Sequence, residues 1–135
     1  MGTENDTKFN DATALRPDGD RAVEAPLLSA DLYLLLDQIT DEESYKNGDR
    51  NAITIYKSDA MRIVLIALHA GAEMKAHTAP GEISVQVLKG SIIFKTDLEG
   101  LDCKTGQILT LKEGIVHSVR ATTEAAFLLT LSLSK

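Results

Sequence analysis

The chain has 135 residues, 44% of them apolar and 25% charged, with a formal net charge of −6. That is about one domain's length and enough to bury a core, while the acidic balance argues against a nucleic-acid or anionic-membrane surface. With Cys103 as the single cysteine no intrachain disulfide can form, as expected in a reducing compartment.

The opening stretch MGTENDTKFND has neither a basic segment nor an apolar one, so it does not read as a secretory leader. Asp6 breaks the myristoylation pattern. No apolar run approaches the roughly 20 residues of a membrane span, and a cytoplasmic location is expected. Residues 1–25 are polar and interrupted by Pro17-Asp18-Gly19-Asp20. They carry too little apolar surface to offset the entropy of ordering, and a flexible tail is predicted.

The folded domain is predicted over 26–135, opening with a helical element at about 29–46. Leu32, Leu35, Leu36 and Ile39 recur at helical spacing. Ser29 is the expected cap at its start. Thr40-Asp41-Glu42-Glu43 fits a capping box for a second short helix, and Asn47-Gly48 ends it. An element of this kind covers an open edge or face of a sheet. Arg50 is expected to anchor it through an ion pair.

From Ala52 the texture becomes β. The runs AITIYK, MRIVLIALH, EISVQVLK, SIIFKTDL, QILTL, IVHSVRA and AAFLLTLSL are separated by turn signals such as Pro80-Gly81, Lys89-Gly90 and Glu113-Gly114. Short strands with glycine turns and no interleaved long helices predict an all-β sandwich or barrel over about 52–134. IVLIAL and FLLTL are almost continuously apolar, which predicts burial on both faces, one of them at a subunit contact. A homodimer is therefore expected.

Within that region Gly71 is followed after five residues by His77, Gly90 closes the segment, and Gly106 opens a second one that reaches His117 three residues after Gly114. This spacing resembles the two motifs of small single-domain cupins, G-x5-H-x-H-x3-4-E-x6-G and G-x5-P-x-G-x2-H-x3-N. The resemblance covers about Ala52 to the C-terminus, with Ser91 to Thr105 as the spacer. It implies a jelly-roll barrel, a double-stranded β-helix, with a pocket between its sheets. His77 and His117 match metal-ligand positions. Elsewhere the sequence departs from the pattern: the second histidine is Ala79, the acidic ligand is Ile83, the proline is Lys112 and the asparagine is Ala121.

The resemblance therefore implies one of two things. His77 and His117 hold a divalent ion (Fe, Zn, Ni or Mn), or they are polar residues in the barrel mouth. Glu82 is offered as a third ligand or pocket residue, on condition that a β-bulge at Pro80-Gly81 turns it inward. Ala79 and Ile83 are expected to line the pocket and make it apolar, which favours a small apolar or aromatic ligand. Gln86 is expected on the outer face, Lys75 and Lys112 at a solvated surface, and His69 at a rim. Three functions follow: a small-molecule-binding barrel with a reduced or absent metal site, a metal-dependent oxygenase or isomerase using His77 and His117, or an interaction protein. Fold alone does not choose among them.

Overall fold

The computed structural model describes residues 23–133. Residues 1–22, most of the expected tail, lie outside them. Helix α1 spans Leu32–Thr40 and α2 spans Glu43–Lys46. Nine strands follow: β1 Arg50–Lys57, β2 Met61–Leu68, β3 Glu73–His77, β4 Ile83–Lys89, β5 Ser91–Thr96, β6 Gly100–Lys104, β7 Ile108–Leu111, β8 His117–Ala121 and β9 Ala125–Ser132. They form two antiparallel sheets, one of five strands in the order β1-β2-β9-β4-β7 and one of four in the order β3-β8-β5-β6. This is the all-β jelly roll with a short N-terminal helical appendage that the sequence predicts.

β3 and β6 are the two strands that the apolar runs do not reveal. They are the outer strands of the four-stranded sheet. The strand β3, EMKAH, has no buried residue, and in β6, GLDCK, only Cys103 is buried. An edge strand with one face in water needs little apolar alternation, so its sequence resembles a loop.

The core divides by strand parity. Inward-facing Val64, Ile66, Leu68, Val85, Val87, Ile92, Phe94, Val119 and Phe127 fill the space between the sheets. The opposite parity of the five-stranded sheet places Ile53, Ile55, Leu65, Ala67 and Ala126 on its outer face, where Leu36, Ile39 and Tyr45 cover them. The two-sided burial of β2 is thus as predicted, and the outer cover of its Leu65 and Ala67 comes from α1 and α2 of the same chain.

Local chemistry sets the helix ends. The cap of α1 is Asp31, whose carboxylate accepts from the Leu34 amide at 3.1 Å, and not Ser29. The expected capping box is not made. Thr40 Oγ1 instead donates back to the Leu36 carbonyl at 2.8 Å, and Glu42 precedes α2 without a side-chain cap. Glu42 is 3% exposed and receives the Asn51 side-chain amide at 2.8 Å, which also donates to the Ile39 carbonyl. That buried pair fastens the end of α1 to β1. Arg50 pairs with Asp49, its neighbour, and donates to the Glu73 carbonyl, so it braces β1 against β3 rather than holding the helices.

Candidate functional site

β3 and β8 bring the two motif histidines together. Along this pair Met74 faces Val119 and His77 faces His117, so two residues of β3, Lys75 and Ala76, lie opposite the single Ser118. This extra residue is a β-bulge. In an unbroken strand Met74 and His77 would point to opposite faces. The bulge lets Met74 pack on the inner core while His77, itself exposed, lies beside His117, with ring centroids 4.4 Å apart at a tilt of 59°. The decisive bulge is in β3, not at Pro80-Gly81.

Each imidazole is oriented by its own strand. His77 Nδ1 lies 2.6 Å from the Lys75 carbonyl, and His117 Nδ1 lies 2.9 Å from the Ile115 carbonyl. A carbonyl can only accept, so each Nδ1 carries a proton, and when the ring is neutral the lone pair lies on Nε2. His117 is 4% exposed and stacks on Phe94 at 5.2 Å. Its burial pushes its pKa below the ordinary histidine value of 6.5; the Ile115 bond opposes this, and the neighbouring His77 reinforces it. His117 is therefore neutral at pH 7. Stability tied to its neutral form is present above 6.5 and is lost as pH falls through the lower folded value. A side-chain NMR titration should give His117 a midpoint below 6.5 with the proton on Nδ1; a midpoint at or above 6.5 would contradict this burial.

The other predicted residues divide clearly. Ile83 is 5% exposed within the inner core, and Ala79 packs against the same cluster at the mouth. Glu82 does not join the histidines. Its side chain is 68% exposed, 4.0 Å from Lys112 Nζ. Because β4 begins in register at Ile83, the isoleucine takes the inward place and the glutamate the outward one. Lys75 and Gln86 are exposed as expected. Among the described residues no group of three His, Cys, Asp or Glu side chains could hold a metal ion. Cys103 is buried, and burial raises its thiol pKa, the state of an inert core residue.

Solved structures share this architecture. A conserved protein of unknown function from Streptococcus pyogenes is 21% identical, with 87% of this chain and 99% of that one covered and a TM-score of 0.66. An RmlC-like cupin from Desulfovibrio desulfuricans is 24% identical, with 84% and 98% covered and a TM-score of 0.58. The chain has the cupin fold. Salicylate 1,2-dioxygenase from Pseudoaminobacter salicylatoxidans, as a G106A mutant, superposes on 93% of this chain with a TM-score of 0.71 at 15% identity, over 41% of its own length. No protein-family model and no curated protein matches the sequence.

In this barrel the donor set does not fit a four-ligand centre. Two imidazoles remain, and the other two motif positions hold a methyl group and a buried isoleucine. What the site offers is a pair of imidazoles, each oriented by an Nδ1–carbonyl bond, beside Phe94 and the inner apolar cluster. Sequence reasoning missed a second constellation, His69 with Tyr45 and Glu124, since the last two lie 79 residues apart in the chain. No helix of the described residues is long and apolar enough to cross a membrane.

Proposed function

We propose that this cupin barrel binds a small, largely apolar molecule that donates a hydrogen bond to the His77–His117 pair, without a resident metal. The observation that carries this reading is the fixed tautomer of His117: its Nδ1 proton is spent on the Ile115 carbonyl and its ring is buried and neutral, so its Nε2 is an acceptor beside His77. Phe94 stacked on His117 supports a flat ligand, and Ala79 and Ile83 in place of ligands support an apolar one. A neutral aromatic with one O–H or N–H donor meets those requirements.

The alternative is a metal-dependent oxygenase or isomerase with a divalent ion (Fe, Zn, Ni or Mn) on His77 and His117. It is supported by the same Nδ1–carbonyl bonds, because metal-bound histidines usually donate their second nitrogen in this way. Against it stands the ligand count, since catalytic zinc usually takes three protein ligands and non-haem iron two histidines and a carboxylate.

Thermal unfolding with phenol, catechol and indole, in the presence of a chelator, separates the two. Stabilisation of the wild type that is lost in the His77→Ala, His117→Ala variant is expected from simple linkage. Stabilisation by zinc, nickel or manganese alone, lost in the same variant, would favour the metal reading and overturn the first.

A further inference from the structure

A densely bonded polar cluster outside the histidine pair lies at the other end of the β3–β8 pair. His69 follows β2 in the turn to β3. Its Nδ1 is 3.0 Å from Glu124 Oε2 and its Nε2 is 2.8 Å from the Tyr45 carbonyl. Both partners are oxygens that only accept. A neutral imidazole has one N–H, so in either tautomer one bare nitrogen would face an acceptor. The doubly protonated ring satisfies both.

The surroundings suit a cation. Glu124 also accepts from the Tyr45 hydroxyl and, at 3.2 Å, from the Ala70 amide. Its turn is pinned, because the Thr122 amide donates to the Ser91 carbonyl and the Ser91 amide to Thr123 Oγ1, each at 3.1 Å. The Tyr45 ring stacks on the imidazole with centroids 3.8 Å apart, a favourable place for a cation. Asp49, ahead of β1, adds a further negative charge towards His69 while paired with Arg50. So Glu124 from the β8–β9 turn and Tyr45 from α2 touch this ring, while the Asp49 carboxylate from the α2–β1 turn acts on it from further off and is itself paired with the Arg50 guanidinium.

We propose that His69 is held as an imidazolium between Glu124 and Tyr45, and that this charged bridge is a pH-sensitive latch fastening α2 to the barrel. Tyr45 is the buried residue of α2 in the outer core, so the latch controls how firmly the helical cover is held. The shifts agree in direction. His69 is raised above 6.5, first by the Tyr45 carbonyl and then by Glu124. Glu124 is lowered from 4.5 to about 2, first by the Tyr45 hydroxyl. A raised histidine stabilises fully below its unfolded pKa and stops doing so as pH rises through the folded value; a lowered carboxylate stabilises above its unfolded pKa and stops as pH falls through the folded one. The latch is therefore tightest in mildly acidic solution and loosens as pH rises through the folded pKa of His69, when one of the two ring bonds is lost while the Tyr45 hydroxyl stays on Glu124.

The test is an NMR titration of the imidazoles in the full chain, with amide exchange of residues 43–46 corrected for its intrinsic pH dependence. His69 should titrate above 6.5 with two ring N–H signals at pH 6. Exchange in α2 should accelerate across that midpoint while β2 and β9 stay protected. Glu124→Gln should move midpoint and acceleration together to lower pH. A wild-type midpoint at or below 6.5, a single ring N–H at pH 6, or α2 exchange indifferent to the titration would each overturn the latch. The wild-type measurements decide it even where the variant does not fold.

Discussion

Replacing Ala79 with His and Ile83 with Glu in one chain is expected to destabilise the protein by about 3 kcal/mol without metal at pH 7 and to make its stability respond strongly to added zinc or manganese. Ile83 is 5% exposed in the inner core. A carboxyl placed there must remain neutral well above its ordinary pKa, and each unit of that shift costs about 1.4 kcal/mol. In the cupin motif these two positions carry the missing ligands, so an ion would meet three imidazoles and a carboxylate. Metal at one hundred times its Kd would then restore about 2.7 kcal/mol. The wild type, with two imidazoles, should respond far less. Urea unfolding with and without metal measures both terms. An equal response in the two proteins would mean that the barrel no longer holds those positions as a ligand set.

A second large effect is expected at Gly90, the glycine that closes the first motif. Its φ is +73°, and a Cβ there would be driven into the Glu124 carbonyl and Thr123 Oγ1. Gly90→Ala should therefore cost about 3 kcal/mol, the left-handed conformation and a backbone collision acting together. Gly106, which opens the second motif, has φ +88° but nothing within 4 Å of the added carbon. Gly106→Ala should cost roughly 1 kcal/mol, from conformation alone. Denaturant midpoints of the two variants give the comparison directly. Equal losses would show that the Gly90 turn yields to the methyl group and is not pinned by the β8–β9 turn.

Much of this molecule is legible in its sequence because period-two alternation and glycine turns report a half-buried sheet. Strands such as EISVQVLK and SIIFKTDL were recognisable because their apolar residues alternate against a real core. EMKAH and GLDCK were not, because edge strands beside water carry no such pattern. Helix existence was legible and helix capping was not: Ser29, Asp31 and the Thr40 hydroxyl are all chemically able to cap, and only the path of the chain decides among them.

The site shows the same division. Motif spacing pointed to His77 and His117, and the structure places them face to face. It could not say that the bulge lies between Met74 and His77, nor that Glu82 points out while Ile83 points in, since one residue of register reverses every side chain. The His69–Glu124 bond spans 55 residues and has no local signature at all. Contacts of that kind become visible only when the β2–β3 and β8–β9 turns are brought to the same end of the barrel.

The most direct measurement is metal content by plasma mass spectrometry on untagged protein as purified, beside the His77→Ala, His117→Ala variant. A barrel that offers two oriented imidazoles to a small molecule should carry iron, zinc, nickel and manganese far below one ion per chain, and equally little in both proteins. Near-stoichiometric metal in the wild type, lost in the variant, would contradict that reading and make the two-histidine pair a working metal centre.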